Sequence, residues 1–326
     1  MDYARLGNSN LVVSRLGLGA MGFGDTSWRG WVLEADTAAP IVRRALDRGV
    51  NFFDTCDFYS AGRSEEILRE VLVSQVPRDS IVLATKVGNP MQRHPNGRGY
   101  SRKHIIEAAD ASLRRLGTDH IDLYQTHIWD PATNIEELVE AFDTLVRAGK
   151  VLYVGATTMP AWQFGKALWH AAATGQHRFV AMQCEYNPAH REAEREMIPL
   201  CRDAGIGLVP FSPMARGYLC GDRRDPAQAT LRNRTDDYTH KIYGRENDHE
   251  VRTALEAVAD ARGVSAAQVA VAWTLARPGI TSPIFGATSV AQLDQVLDAL
   301  DLALEPDEIG QIDAAYAPRP IHASGH

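Results

Sequence analysis

Asn51-Phe52-Phe53-Asp54-Thr55-Cys56-Asp57-Phe58-Tyr59 opens as an apolar strand, reaches a carboxylate at Asp54, and turns out into a loop that carries a phenol at Tyr59. Two later apolar runs also end on a titratable group. Ile81-Val82-Leu83-Ala84-Thr85 leads into Lys86, and Ile121-Asp122-Leu123-Tyr124-Gln125-Thr126 leads into His127. In a parallel α/β protein catalytic groups gather at the carboxyl ends of the strands. The three runs therefore bring an acid, a phenol, an ammonium and an imidazole to one mouth, which is equipment for delivering a proton to an oxygen.

Outward from this stretch the pattern repeats. Apolar strands are expected at 16–20, 51–55, 81–87, 121–127, 151–157, 179–185, 206–211 and 282–286. Helices fall between and after them at 37–49, 64–74, 101–116, 134–148, 160–174, 191–203, 248–262, 265–276 and 289–300. Strands that are apolar throughout are those of a parallel sheet buried on both faces, and the spacings suit right-handed βαβ crossovers. Eight such units with no break in composition predict one domain over 1–326, a closed (β/α)₈ TIM barrel, for which the length is ordinary. A β-hairpin about Gly7-Asn8-Ser9-Asn10 precedes it. A long insertion, 213–246, follows the seventh strand, with Arg216, Arg223, Arg224, Arg232, Arg234 and Lys241 among Asp222, Asp225, Asp236 and Asp237. A mixed-sign stretch of this length predicts a lid that orders over a bound cofactor. The tail, Arg319–His326, is expected to be a mobile end.

Leu16-Gly17-Leu18-Gly19-Ala20-Met21-Gly22 contains a G-x-G-x-x-G match. A dinucleotide fingerprint needs a helix opening directly at its glycines. Here the chain continues into Phe23-Gly24-Asp25-Thr26-Ser27-Trp28-Arg29-Gly30, which has no helical period, and the next helix begins near Asp36, read as its N-cap. The match is therefore not a Rossmann motif.

Composition narrows the partners. A chain of 326 residues, 45% hydrophobic and 23% charged, is that of an ordinary globular protein, and a net charge of -7 disfavours nucleic acid and anionic membranes. Cys56, Cys184, Cys201 and Cys220 show neither CxxC spacing nor a paired framework, so a reduced cytoplasmic protein without disulfides or a metal is expected. The N-terminal residues do not read as a signal peptide, and no apolar run reaches membrane length, so a protein that neither enters nor crosses a membrane is expected.

Each of the four titratable residues has a structural reading of its own: a capping Asp54, a surface Tyr59, a solvated Lys86, a satisfied core His127. Jointly they do more. Asp54 and Lys86 end long apolar runs, where an unpaired charge is costly, and on neighbouring strands they pair. The Lys86 ammonium favours the tyrosinate and is expected to lower the Tyr59 pKa, making it a better acid than a free phenol near ~10. His127 would orient a carbonyl oxygen. No side chain here donates hydride, so reduction requires a cofactor.

The pattern N-F-F-D-T-x-x-x-Y over Asn51–Tyr59, with Ala84-Thr85-Lys86 and Asp122–His127, resembles the aldo-keto reductases over nearly the whole chain and in the same order. It looks closest to a bacterial branch related to aryl-alcohol dehydrogenases. That likeness is carried by Tyr100-Ser101-Arg102-Lys103-His104-Ile105 after Pro95-Asn96-Gly97, by Ala161-Trp162-Gln163-Phe164, by Arg195-Glu196-Met197 before Pro199-Leu200, and by Tyr316-Ala317-Pro318-Arg319-Pro320. The resemblance implies a barrel that binds NADPH, with NADH possible, in extended form, and a catalytic tetrad of Asp54, Tyr59, Lys86 and His127.

It also implies carboxamide contacts at Thr157, Thr158 and Gln183, Thr158 standing where Asn is usual. Phe211 takes the stacking position, Ser212-Pro213-Met214-Ala215-Arg216-Gly217 the pyrophosphate cover, and Gly286-Ala287-Thr288-Ser289 the adenosine side. Gly19 and Met21 resemble the floor beneath the nicotinamide. The usual basic residue for a 2′-phosphate is Ser289 here, leaving Gln292 and Gln295 as neutral donors and Arg216 or Arg232 to reach across. Trp28, Trp31 and Trp129 are expected near the mouth, with Trp28 and Trp129 on the side of a small-molecule carbonyl substrate. Two alternatives keep the same residues: a nucleotide-sensing regulatory subunit, and tetrad chemistry on a sugar or phosphorylated carbonyl.

Overall fold

The computed structural model describes residues 1–220 and 231–318. Two short antiparallel strands, β1 (Tyr3–Arg5) and β2 (Val12–Ser14), form the expected hairpin. Eight parallel strands follow: β3 (Gly17–Gly19), β4 (Phe52–Asp54), β5 (Val82–Val87), β6 (Ile121–Thr126), β7 (Val151–Thr157), β8 (Phe179–Gln183), β9 (Gly207–Leu208) and β10 (Ile284–Phe285). Their order, β10-β3-β4-β5-β6-β7-β8-β9, is one sheet in which chain neighbours are spatial neighbours. Parallel bridges Leu208–Ile280 and Phe211–Ile284 join its two ends, and the Ile284 N–H donates to Pro210 O at 2.7 Å. The sheet therefore closes as a (β/α)₈ barrel.

The last two strands are shorter than the apolar runs suggested. Pro210 and Pro283 remove donors from the ladder, so regular pairing stops beside them.

Two cores result. Inward-facing Phe52, Val82, Ala84, Leu123, Ala181, Val209 and Ile284 pack with Leu6 and Val13 of the hairpin. The hairpin is tied to the amino-terminal ends of the strands, where Asn8 N–H donates to Gly205 O at 2.8 Å and Ser14 N–H to Asn51 Oδ1 at 2.7 Å. It seals that end, leaving the carboxyl ends as the mouth. The outward strand faces pack under the helices in a second, larger cluster. The G-x-G-x-x-G glycines serve this interior. A Cβ on Gly17 would lie 2.6 Å from Ile284 Cδ1, one on Gly19 would lie 2.8 Å from Ile284 Cγ2, and no α-helix opens before α1 (Ala35–Asp47).

Most remaining helices match the apolar periodicity: α3 (Arg102–Leu116), α4 (Ile135–Arg147), α5 (Ala161–Thr174), α9 (Glu246–Arg262), α10 (Ala266–Leu275) and α11 (Val290–Leu297). Several depart from it. The cap of α1 is Glu34, and Asp36 lies inside the first turn. The helix expected at 64–74 is α2 (Arg63–Leu68) running into a π turn over Arg69–Val73. The helix expected at 191–203 is a 3₁₀ turn, Glu192–Glu194, followed by α6 (Met197–Ala204).

The insertion is not wholly irregular, since it carries α7 (Leu231–Thr235) and α8 (Asp237–Ile242). Its Asp222, Arg223, Arg224 and Asp225 lie outside the described residues, as does the tail from 319. A last helix, α12 (Pro306–Ala314), was not expected. Its signals were Pro306 at the first position and a Glu305/Glu308 capping box. Among the described residues no helix is long and apolar enough to cross a membrane.

Candidate active site

The mouth is organised by one buried ion pair. Lys86, the fifth residue of β5, is 0% exposed, and its Nζ donates to Asp54 Oδ1 at 2.5 Å and to Thr55 O at 2.8 Å. The other Asp54 oxygen, Oδ2, accepts from Gln125 Nε2 and Gln183 Nε2, both at 3.1 Å. Register explains the convergence, since Asp54 pairs with Gly19 and Ala84, Lys86 with Gln125, and Thr157 with Gln183. Burial alone would lower the Lys86 pKa, but Asp54 and then Tyr59 outweigh it, and the ammonium is held above its ordinary range.

Tyr59 starts a tight turn, Tyr59–Gly62, in which Ser60 and Ala61 adopt left-handed backbone at φ 52° and 53°. Such conformations cost of order 1–3 kcal/mol each and need surrounding support. The loop after β3 provides it. The Asp25 N–H donates to Ser60 Oγ at 2.8 Å, and Gly24 lies so close that a Cβ there would be 2.5 Å from Ser60 Cβ. Lys86 Nζ sits 5.2 Å from the Tyr59 ring centroid, and the His127 ring crosses the phenol edge-on at 5.7 Å. Lys86 does pull the phenol's pKa down, as expected, but burial is the larger effect and pushes it up to about 12. The expectation of a pKa below the free value is thereby corrected: desolvation outweighs the ammonium.

His127 is locked by groups that sequence reading missed. Its Nδ1 lies 2.6 Å from Asn89 Nδ2 and 2.9 Å from Cys56 Sγ. Its backbone N–H donates to Tyr100 Oη at 2.9 Å, and that hydroxyl donates to Ile128 O at 2.6 Å. An amide nitrogen only donates, so Nδ1 is the acceptor and the ring proton sits on Nε2. Burial, then Lys86, lowers the imidazole pKa to about 3, so the ring stays neutral. Asn89 lies three residues beyond Lys86, and Cys56 two beyond Asp54; those positions near the carboxyl ends of β5 and β4 were the available signal.

Behind the mouth, Glu65 is 0% exposed, accepting from Thr85 Oγ1 at 2.6 Å and Arg115 Nε at 2.6 Å. No apolar pattern announces a buried glutamate on a short helix, and this brace was not read from the sequence.

Thr157 Oγ1 is buried without a partner, whereas Thr158, at φ 50°, donates its hydroxyl to His127 O at 2.8 Å. Ser212, Ala215, Arg216 and Gly217 all have positive φ, at 56°, 49°, 57° and 87°. The Ala215 and Gly217 N–H groups close these turns on Ser212 O at 2.8 Å and Met214 O at 3.0 Å. Ser212 O accepts from Asn187 Nδ2 at 3.0 Å, and the same amide donates to Tyr243 Oη at 2.9 Å, which fixes this loop to the chain after α8.

At the far side, Ser289 caps α11 through Gln292 N–H, and Gln292 Oε1 accepts from Thr288 N–H at 2.9 Å and Thr288 Oγ1 at 2.8 Å. Gln295 is exposed on α11. Arg216 and Arg232 both pair with Asp236, at 2.5 Å and 3.2 Å. Of the tryptophans, Trp28 meets Phe58 edge-on at 6.3 Å, Trp31 is buried, and Trp129 packs on Tyr100 with its N–H donated to Gln163 Oε1 at 2.5 Å. The Trp129 contacts are those of a rim residue.

A closed parallel barrel whose mouth holds a phenol, a buried ammonium–carboxylate pair and a neutral imidazole defines an oxidoreductase of carbonyl groups. The aldo/keto reductase family model matches residues 15–317, and the chain belongs to that family. It is 39% identical to versiconal hemiacetal acetate reductase of Aspergillus parasiticus, with 99% of each chain covered. It is 37% identical to a putative aryl-alcohol dehydrogenase of Schizosaccharomyces pombe, over 98% of this chain and 97% of that one. A putative aryl-alcohol dehydrogenase of Saccharomyces cerevisiae is 35% identical, with 97% of each covered. The aryl-alcohol dehydrogenase likeness stands, while these relatives are fungal and give the expected bacterial branch no support. The family generally uses NAD(P)H, and the orphaned Thr157 hydroxyl is a polar group such a dinucleotide could satisfy.

Proposed function

We propose that this protein is a reductase of aldehyde or ketone carbonyls that uses NADPH, and NADH less well, with Tyr59 as general acid. The observation that carries the reading is the buried Lys86–Asp54 pair beneath a phenol crossed edge-on by a neutral histidine. A nicotinamide held there would supply the hydride that reduction needs. His127 Nε2–H donates to the carbonyl oxygen and orients it, and Tyr59 gives its proton to that oxygen as the alkoxide develops.

Lys86 offsets part of the cost of the resulting tyrosinate, and Asp54, held by Gln125 and Gln183, keeps Lys86 charged and still. Thr157 and Gln183 would hold the carboxamide, Phe211 the nicotinamide face, and the backbone of Ser212–Gly217 the pyrophosphate. Four cysteines stand free, three of them buried, and we place the protein in the cytoplasm on that basis.

Tyr59→Phe tests the reading. The variant should bind NADPH with little change and lose ~10²–10⁴-fold in carbonyl reduction, the usual worth of a general acid. Wild-type activity in the variant would remove Tyr59 from the mechanism.

A further inference from the structure

Three arginines gather beside the mouth. Arg216 and Arg232 share the single carboxylate of Asp236, whereas Arg29 makes no ion pair among the described residues. Arg232 lies 4.5 Å over the Trp31 ring, and Arg29 lies 5.6 Å from the same ring and 4.3 Å from that of Trp28. Arg29 and Arg232 therefore flank one aromatic patch, Arg216 lies over the Tyr238 ring at 4.9 Å, and among the described residues Asp236 is the acid that Arg216 and Arg232 share. The electrostatics agree. Burial first, then Arg216, pushes the Arg232 pKa down to about 10 despite Asp236. Burial also lowers that of Arg29, which feels the charges of Asp236, Arg216 and Tyr59. Three guanidinium groups with one paired carboxylate among the described residues are poised for an added anion.

Arg29 differs from the other two in what it is fastened to. Most of the proposed cofactor contacts come from the ends of β7 to β10, and the insertion brings Arg216 and Arg232 to that side. Arg29 rides on the loop after β3, which is locked to the Tyr59 turn by Asp25 N–H on Ser60 Oγ at 2.8 Å and by Trp28 against Phe58. Its neighbours are the half-buried indole of Trp28, a flat apolar surface suited to a planar substrate, and the buried indole of Trp31 behind it.

We propose that Arg29 is a substrate-recognising residue and that the preferred substrates are aromatic or similarly planar carbonyl compounds carrying an anionic group, such as a carboxylate, away from the reacting carbon. The inference rests on the reading of Tyr59 as the proton donor. Guanidinium and carboxylate meet through paired, charge-assisted hydrogen bonds, and one such contact corresponds to about a ten- to hundredfold preference.

The test compares 4-formylbenzoate with its methyl ester, using NADPH and the full chain. Wild-type kcat/KM should favour the acid by about ten- to hundredfold. In Arg29→Ala that ratio should collapse toward one, and Arg29→Lys should restore part of it. A parallel arm measures benzoate against benzamide by quenching of tryptophan fluorescence in the NADPH-loaded protein, since Trp28 and Trp31 flank the guanidinium. Benzoate should bind more tightly, and Arg29→Ala should abolish the difference.

An acid-to-ester ratio near one in the wild type, or a ratio unchanged in Arg29→Ala, overturns the proposal. So does a variant that raises only the KM for NADPH, which would make Arg29 a cofactor clamp. If neither aldehyde is reduced, the carbonyl-reductase reading fails, and the benzoate arm still decides the anion site.

Discussion

Asn89 Nδ2 stands 2.6 Å from His127 Nδ1 and thereby determines which imidazole nitrogen carries the proton toward the mouth. The Cys56 thiol lies 2.9 Å from the same nitrogen and donates to Asp57 Oδ1 at 3.2 Å, so it is not what fixes the tautomer. Burial pushes this thiol's pKa well up, so it keeps its proton. Asn89→Asp inverts the arrangement. A carboxylate there requires a proton on Nδ1, which either moves the neutral ring's proton off Nε2 or charges the ring. The expected outcome is a His127 pKa well above about 3, and a loss in kcat approaching the ~10²–10³ of a missing oxyanion donor. Nitrogen-15 shifts of the ring report the tautomer directly. An unchanged Nε2–H signal would show that Asn89 does not control it.

Lys86→Met should move the acidic limb of alcohol oxidation to higher pH. Oxidation needs the tyrosinate, and Lys86 is the group that holds the Tyr59 pKa down to about 12 against burial. The variant also leaves Asp54 buried without its counter-ion, a loss of ~3–5 kcal/mol. Asp54→Asn combined with Lys86→Met removes that penalty and should recover stability while keeping the raised limb. A limb that stays where the wild type has it would mean Lys86 does not tune Tyr59.

What the sequence made legible follows from what its patterns encode. Eight apolar runs specify eight buried parallel strands whose carboxyl ends lie at the mouth, so Asp54, Lys86 and His127, at or just past those ends, could be placed from the chain alone. The groups behind them could not. Asn89 sits in a loop with no period, and Gln125 is one of several polar residues inside a strand. Glu65 would read as a solvated helix face had Thr85 and Arg115 not met it. The balance at Tyr59 was misjudged for a related reason, because proximity to Lys86 is legible from strand order whereas desolvation depends on everything packed around the phenol. Likewise α12 was missed although its capping signals were present, since its apolar stripe is weak and only Ile312 is buried.

Asp57 should make the protein less stable as pH rises. It is 1% exposed, its Oδ2 has no hydrogen-bond partner among the described residues, and burial, then Glu65, raises its pKa to about 7 against the Cys56 hydrogen bond and Arg115. The unfolded side chain releases its proton near ~3.9. Between those values the folded state binds more protons than the unfolded state, so this contribution is complete below pH ~4 and is lost toward pH 7. At ~1.4 kcal/mol for each pH unit between the two values, the effect amounts to several kcal/mol. Asp57→Asn should flatten the slope and stabilise the protein at pH 8. Denaturant midpoints from pH 4 to 8 measure it, and equal slopes in both proteins would place the Asp57 charge elsewhere in the energetics.

Cofactor preference should be modest and movable from α11. Ser289 stands at the position where the family's usual phosphate-binding cation is expected, and its hydroxyl is engaged by Gln292 N–H as the helix cap. Gln292 in turn spends its carbonyl on Thr288. No side chain in that turn carries positive charge, and the arginines that could reach a 2′-phosphate, Arg216 and Arg232, are tied to Asp236. We therefore expect NADPH to exceed NADH by about tenfold, the lower end for one charge-assisted contact. Ser289→Lys adds a cation and should widen the margin toward about a hundredfold, at ~1 kcal/mol of helix stability for the lost cap. Asp236→Asn should widen it as well, by releasing the two guanidinium groups. Steady-state kcat/KM with both cofactors on one aldehyde decides the matter. If NADH serves the wild type as well as NADPH and only Ser289→Lys restores a preference, Arg216 and Arg232 have no part in binding the phosphate.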